Sequence, residues 1–216
     1  AIELVSDGYG KISISLNELA VNEHEKGSSV SLIKGIAAAF KSRGYKVGGF
    51  TAYLSSDVTS GAGLSSSACF EVLIGTILSY LYNNGCVSGI EIAQIGQYAE
   101  NVYFGKPCGL MDQTACSLGG LVYIDFKNPD EPIVKQLSGN PVQEGYCLCI
   151  TDTGSSHAGL TDEYAFITKE MSKIAGFFGK EVLAQINEED FYSSIKKLRE
   201  EFGDRAVLRS IHFLEE

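Results

Sequence analysis

Apolar and polar residues alternate over residues 11–16, the two-residue period of a half-buried strand. A polar, loop-like run follows over residues 22–27. A capping Ser29 then opens a helix in which Val30, Ile33, Ile36, Ala37 and Phe40 recur at helical spacing, and Gly44 stops it. Residues 50–54 read as a strand. The helix predicted over residues 66–83 sets Phe70, Leu73, Ile74, Ile77, Leu78 and Leu81 on one face. Its other face is apolar too, through Val72 and Tyr80, with Glu71 as the early exception, so it is expected deep in a core. A third helix, residues 90–104, carries Ile92, Ile95, Ala99, Val102 and Tyr103 in period and ends at Gly105. Pro107 and Gly109 force a turn, and residues 110–116 restart as a short helix. Residues 121–125 and 147–151 read as strands, and helices dominate afterwards over residues 162–178, 188–202 and 205–216. This mixture is α/β. A boundary is expected near Asn140-Pro141, after the polar stretch 128–139.

The stretch Thr59-Ser60-Gly61-Ala62-Gly63-Leu64-Ser65-Ser66-Ser67-Ala68 joins the second strand to the second helix. Two glycines allow a tight turn and close approach of a ligand to the backbone. The serines fall at the first helical turn, where N–H groups lack intrahelical acceptors and the dipole favours an anion. The same residues also suit an ordinary capped helix start that binds nothing.

The chain of 216 residues carries a net charge of −10, and its basic residues form no block. Broad electrostatic binding to nucleic acid or to an anionic membrane is therefore not expected. No apolar run reaches the about 18 residues of a membrane span, and no signal peptide opens the chain. No lysine or arginine flanks the glycine-serine turn in sequence, so phosphates there would rely on backbone donors and a metal. The cysteines Cys69, Cys86, Cys108, Cys116, Cys147 and Cys149 have no CxxC spacing, which argues against zinc. They read as buried free thiols of a cytoplasmic protein, with Cys147 and Cys149 on one strand face. Neither GxxxxGK[ST] nor GxGxxG after a strand occurs. The chain lacks an initiator Met and ends within a helical pattern, and a piece of a longer protein is expected.

Glu100 and Asp112 bracket the turn after the third helix, both in largely apolar surroundings. If buried, a carboxylate there needs a partner to stay ionised. Glu100 is either a magnesium ligand or a surface helix residue. Asp112 either meets an acceptor hydroxyl or caps the turn.

The segment Gly61-Ala62-Gly63-Leu64-Ser65-Ser66-Ser67-Ala68 resembles the phosphate-binding motif of the GHMP small-molecule kinases. Ala99-Glu100-Asn101, with Gly105-Lys106-Pro107-Cys108-Gly109-Leu110-Met111-Asp112-Gln113, is similar to the galactokinase version, as are residues 151–157 through Tyr164 and residues 208–213. The resemblance implies a GHMP-kinase fold, with a ribosomal protein S5 domain 2-like N-terminal (ATP-binding) domain over residues 1–140 and the opening of the C-terminal domain over 141–216. It also implies transfer of the γ-phosphate of MgATP to the 1-hydroxyl of galactose, or of a relative such as N-acetylgalactosamine. By motif position, Gly61, Gly63, Leu64, Ser65, Ser66 and Ser67 line the triphosphate, and Ser66, Ser67 and Glu100 hold magnesium. Asp112 is the catalytic aspartate, while Gly109 and Tyr164 contact the sugar. His157 is read as a loop residue.

Departures from the family pattern shape the expectation. Thr59 stands where the family has proline, and Ala165, Phe166, Ile167 and Thr168 follow Tyr164 in place of arginines. The family's opening Gly-Arg and Gly-Glu-His-Thr-Asp elements and its later glycine-rich motif do not occur in the chain. These 216 residues are therefore expected not to turn over by themselves. Two alternatives stand beside the kinase: a non-catalytic sugar and ATP sensor, and a GHMP kinase for a mevalonate- or homoserine-like acceptor. The sequence gives no reading of oligomeric state.

Overall fold

The computed structural model describes the chain apart from residues 9, 59–62, 140–141, 148 and 152–160 and the side chains of Thr161, Asp162 and Tyr164. The expected boundary at Asn140-Pro141 and the reading of His157 lie outside the described residues. The chain divides into two compact units: Ala1–Val122 with Gln136–Ala158, and Tyr123–Lys135 with Gly159–Glu216.

In the first unit, strands β1 (Ile2–Ser6), β2 (Lys11–Ile14) and β3 (Phe50–Leu54) form a sheet in the order β2-β1-β3. β1 is its centre and was not predicted, although Ile2-Glu3-Leu4 already alternates. Leu4 lies opposite Ile12 of antiparallel β2 and opposite Ala52 of parallel β3. Ile2, Leu4 and Ile14 are buried in one core with Ile33, Ile36 and Phe40 of α1 (Ser29–Ser42), Ile74 and Leu78 of α2 (Ser66–Asn83), and Ile92 and Ile95 of α3 (Gly89–Tyr98). The cap of α1 is Ser28, one residue earlier than predicted, and its hydroxyl oxygen accepts the Ser31 N–H at 3.3 Å.

Two predicted helices differ in ways that build the site. On α2, the buried residues Ala68, Glu71, Val72, Gly75, Leu78 and Ser79 follow helical spacing, whereas Leu73, Tyr80 and Leu81 are exposed. Leu73 and Leu81, expected on the packed face, are thus at the surface and the helix is not buried on all sides; the stripe that packs contains the one carboxylate. The predicted helix over residues 90–104 is α-helical only to Tyr98. Residues Ala99–Phe104 form a π-helical segment, and Val102 faces solvent. This segment packs closely on α1: a Cβ added at Gly35 would lie 2.8 Å from Ala99 Cβ. Gly105, at φ +84°, ends it as predicted.

Helix α4 (Met111–Leu118) packs on α2 and α3. β4 (Leu121–Asp125) pairs with β5 (Ile133–Leu137), which falls in the stretch predicted to be merely polar. Among the described residues of 147–151 no strand is formed. Cys147 and Cys149 are exposed there with their Sγ atoms 3.8 Å apart, and Cys86 and Cys116 are exposed as well, so the expectation of buried thiols fails.

The second unit holds α5 (Thr161–Phe177), α6 (Glu188–Phe202) and α7 (Asp204–Glu215). Ile174, Phe191, Leu198 and Val207 centre its core. No helix among the described residues is long and apolar enough to cross a membrane.

Candidate active site

The start of α2 is built without a side-chain cap. Ser65 occupies the cap position in the left-handed region, at φ 57° and ψ 38°, and its side chain makes no cap hydrogen bond. A non-glycine residue there costs on the order of 1 kcal/mol. Gly63, at φ +73°, precedes it, and Leu64 between them is exposed. The N–H groups of Ser66, Ser67 and Ala68 thus open the helix with neither an intrahelical acceptor nor a capping hydroxyl. Among the described residues no side chain caps this start, and a helix start of that kind offers the donors an anion needs. Gly61 lies outside the described residues.

Glu100 reaches this helix start from the π-helical segment. It is 2% exposed, so it is not a surface helix residue. One carboxylate oxygen, Oε1, accepts from Ser67 Oγ at 3.1 Å and from Lys106 Nζ at 3.2 Å. The other, Oε2, accepts from Gln113 Nε2 at 2.9 Å. A π turn inserts an extra residue into the ladder and redirects the side chains beyond it, a feature frequent at functional sites. Its backbone carbonyl is occupied as well, by the N–H groups of Gly105 and Lys106 at 3.0 and 3.1 Å. Lys106 adds to the sequence reading: no basic residue adjoins the glycine-serine turn in the chain, but folding brings this ammonium to the Glu100 oxygen that also bonds Ser67.

Between Gly105 and α4 the loop is clamped by side-chain amides. Asn101 Oδ1 accepts the Cys108 N–H at 2.7 Å, while Asn101 Nδ2 and Gln97 Nε2 donate to the Cys108 carbonyl at 3.4 and 3.3 Å. Leu110 is buried, and Thr114 Oγ1 donates to its carbonyl at 2.7 Å, fixing the first turn of α4. Asp112, the second residue of α4, is half-buried, and no hydrogen bond to its carboxylate is formed among the described residues. It does not serve as a cap. Gly109 is exposed, and a Cβ there would meet nothing within 4 Å, so packing does not explain this glycine. The Tyr164 side chain lies outside the described residues.

Gln113 and Glu71 complete the site and were both missed as functional candidates. Gln113 Nε2 donates to Glu71 Oε2 at 3.0 Å as well as to Glu100, so one amide nitrogen serves two buried carboxyl groups. Glu71 is fully buried and its Oε1 has no partner. Burial, and then the nearby Glu100 charge, push the Glu71 carboxyl up to about 8. Burial likewise raises the Cys108 thiol, so it stays protonated. Gly96 makes room for this arrangement, since a Cβ there would stand 3.0 Å from Glu71 Oε2. The signal for Glu71 in the sequence was a lone carboxylate in an apolar helix.

No trio of His, Cys, Asp and Glu among the described residues stands ready to hold a metal. Ser67 Oγ and the Glu100 carboxylate are nevertheless hard oxygen donors side by side. Magnesium takes one or two carboxylates, keeping its other positions for water and phosphate oxygens. The residues present fit it in that manner.

Residues 31–120 match the family described as GHMP kinases N terminal domain. The galactokinase of Streptomyces coelicolor is 32% identical over 200 residues, 90% of this chain and 51% of that protein. That of Glaesserella parasuis is 36% identical over 166 residues, 76% of this chain and 41% of that protein. A solved structure, Lactococcus lactis galactokinase complexed with galactose, superposes with a TM-score of 0.72 at 23% identity, covering 98% of this chain and 54% of that one. The chain spans about half the length of the curated relatives it matches. Residues 31–120 thus resemble a GHMP kinase N-terminal domain, and the chain has the fold of that galactokinase structure. Over most of its length the chain is similar to galactokinases.

Proposed function

We propose that this chain forms the nucleotide side and the catalytic aspartate of a galactokinase-like enzyme, which transfers the γ-phosphate of MgATP to the 1-hydroxyl of galactose or a close relative. The observation that carries the reading is the Ser67–Glu100 hydrogen bond at the uncapped start of α2, tied through Gln113 to the helix bearing Asp112. Residues 1–140 act as the ATP-binding domain and 141–216 as the opening of the C-terminal domain, in the cytoplasm where MgATP is abundant.

Phosphoryl transfer needs positioning and charge neutralisation more than covalent chemistry. The triphosphate lies along Gly61, Gly63, Leu64 and Ser65, and the free N–H groups of the first α2 turn point at its oxygens. Ser66 or Ser67 and Glu100 supply the protein oxygens to magnesium, which when bound offsets the negative charge of the phosphates. Asp112, whose carboxylate accepts no hydrogen bond among the described residues, faces the sugar and takes the 1-hydroxyl proton as that oxygen bonds to the γ-phosphorus and the bond to the β-phosphate oxygen breaks. ADP leaves. Gly109 gives the sugar room beside Asp112. The 216 residues alone bind without turning over, because the family's Gly-Glu-His-Thr-Asp element is not among them.

Galactose-dependent ADP release tests this, measured on these 216 residues and on the naturally produced protein, each with and without Asp112→Ala. Turnover by the natural protein that disappears in Asp112→Ala supports the reading. Turnover that survives the substitution contradicts the role of Asp112. Turnover by the 216 residues alone contradicts the carried-over sugar site.

A further inference from the structure

We propose that Lys106 is a phosphate-binding residue of the nucleotide site, a cation delivered to the start of α2 from the loop after the π-helical segment. The inference rests on the nucleotide site proposed above. Three observations carry it. The Lys106 ammonium and the Ser67 hydroxyl bond the same Glu100 oxygen, at 3.2 and 3.1 Å, so the ammonium is held at the first turn of α2. Its backbone is pinned, since the Lys106 N–H donates to the Glu100 carbonyl at 3.1 Å. Its side chain remains 40% exposed while the Glu100 side chain is 3% exposed, so the cation faces outward from the carboxylate it pairs with.

The bland alternative is that Lys106 only neutralises Glu100. That carboxylate, however, already has an uncharged donor on each oxygen, Ser67 on one and Gln113 on the other. An ammonium has three N–H donors, and a single hydrogen bond, to Glu100, is formed among the described residues. A chain of net charge −10 repels a triphosphate at long range, and a local cation offsets this where the phosphates dock. The sequence holds no P-loop lysine, and Lys106 supplies an equivalent point charge from a different element.

Calorimetric titration of the 216-residue chain with ATP, ADP and AMP in magnesium buffer tests the assignment. The proteins are wild type, Lys106→Met, Lys106→Arg, Glu100→Gln and the double variant Glu100→Gln/Lys106→Met. Lys106→Met is expected to weaken ATP binding by about tenfold and to leave AMP binding within about twofold. Lys106→Arg keeps the charge and most of the ATP affinity. The ATP-specific loss persists when Lys106→Met is made in the Glu100→Gln background, where no charge is left for Lys106 to neutralise. Equal losses for ATP and AMP, or a loss that vanishes in that background, overturn the assignment. Wild-type affinity in Lys106→Met overturns it while the nucleotide site stands. A wild-type chain that binds no ATP overturns the nucleotide site and the role of Lys106 together.

Discussion

Replacing Gln113 by Met keeps the volume of the side chain and deletes the one amide that serves two buried carboxyl groups. Glu71 loses its only hydrogen bond among the described residues, and Glu100 keeps Ser67 and Lys106. Unpairing buried, partly charged groups costs about 3–5 kcal/mol in total. For a domain of this size that corresponds to a fall in Tm of about 8–15 °C. The double variant Glu71→Leu/Gln113→Met removes both members of the inner pair and should recover at least half of the loss, because apolar replacement of both partners is close to neutral. The effect depends on pH with a definite sign. A carboxyl pushed up from 4.5 to about 8 holds its proton in the folded state where the unfolded chain has released it. Stability is therefore greatest below 4.5 as far as this group is concerned, falls as pH rises to about 8, and levels off above. The amide lowers the Glu71 pKa, so Gln113→Met should be more damaging at about pH 8.5 than at about pH 6. Thermal melts of wild type, single and double variants at both pH values decide the matter. A single variant that melts with the wild type, or a double variant no more stable than the single, refutes the reasoning.

Three further outcomes follow from the same geometry. Gly96→Ala puts a Cβ 3.0 Å from Glu71 Oε2 and 3.3 Å from Gln113 Cγ, and should cost about 1–3 kcal/mol in denaturant titration; an unchanged midpoint would show that the cluster yields without cost. Ser65→Gly relieves the left-handed backbone at φ 57° and should raise stability by up to about 1 kcal/mol, whereas a lower Tm would give the Ser65 side chain a structural part not seen here. Asp112→Asn should leave MgATP affinity unchanged and lower galactose-dependent ADP release in the natural protein by roughly a hundredfold or more; weakened ATP binding would move Asp112 to the nucleotide side.

The fold was legible wherever a period was unambiguous. α1, α6 and α7 have one apolar face each, and their spans were predicted to within a residue or two. α2 was found as a helix, but its buried face was misread, since Leu73 and Leu81 are as apolar as Ile74 and Leu78 and only packing decides among them. β1 and β5 are short, and β1 owes part of its pairing to the distant β3, a contribution that no local window contains. At the site, Glu100, Ser67 and Asp112 were named from motif resemblance, and the structure joins the first two directly. Lys106, Gln113 and Glu71 were missed for a common reason: each acts through a partner more than five residues away in the chain. Spacing along the sequence cannot reveal that Glu100, in the π-helical turn, meets Ser67, Lys106 and Gln113.

The most direct test of the central claim is calorimetric binding of ATP to the 216-residue chain, with magnesium and with chelator, for wild type and Glu100→Gln. The account predicts that magnesium tightens ATP binding in the wild type and that Glu100→Gln abolishes this gain. Equal ATP affinity with and without magnesium, or a gain that survives Glu100→Gln, would contradict it.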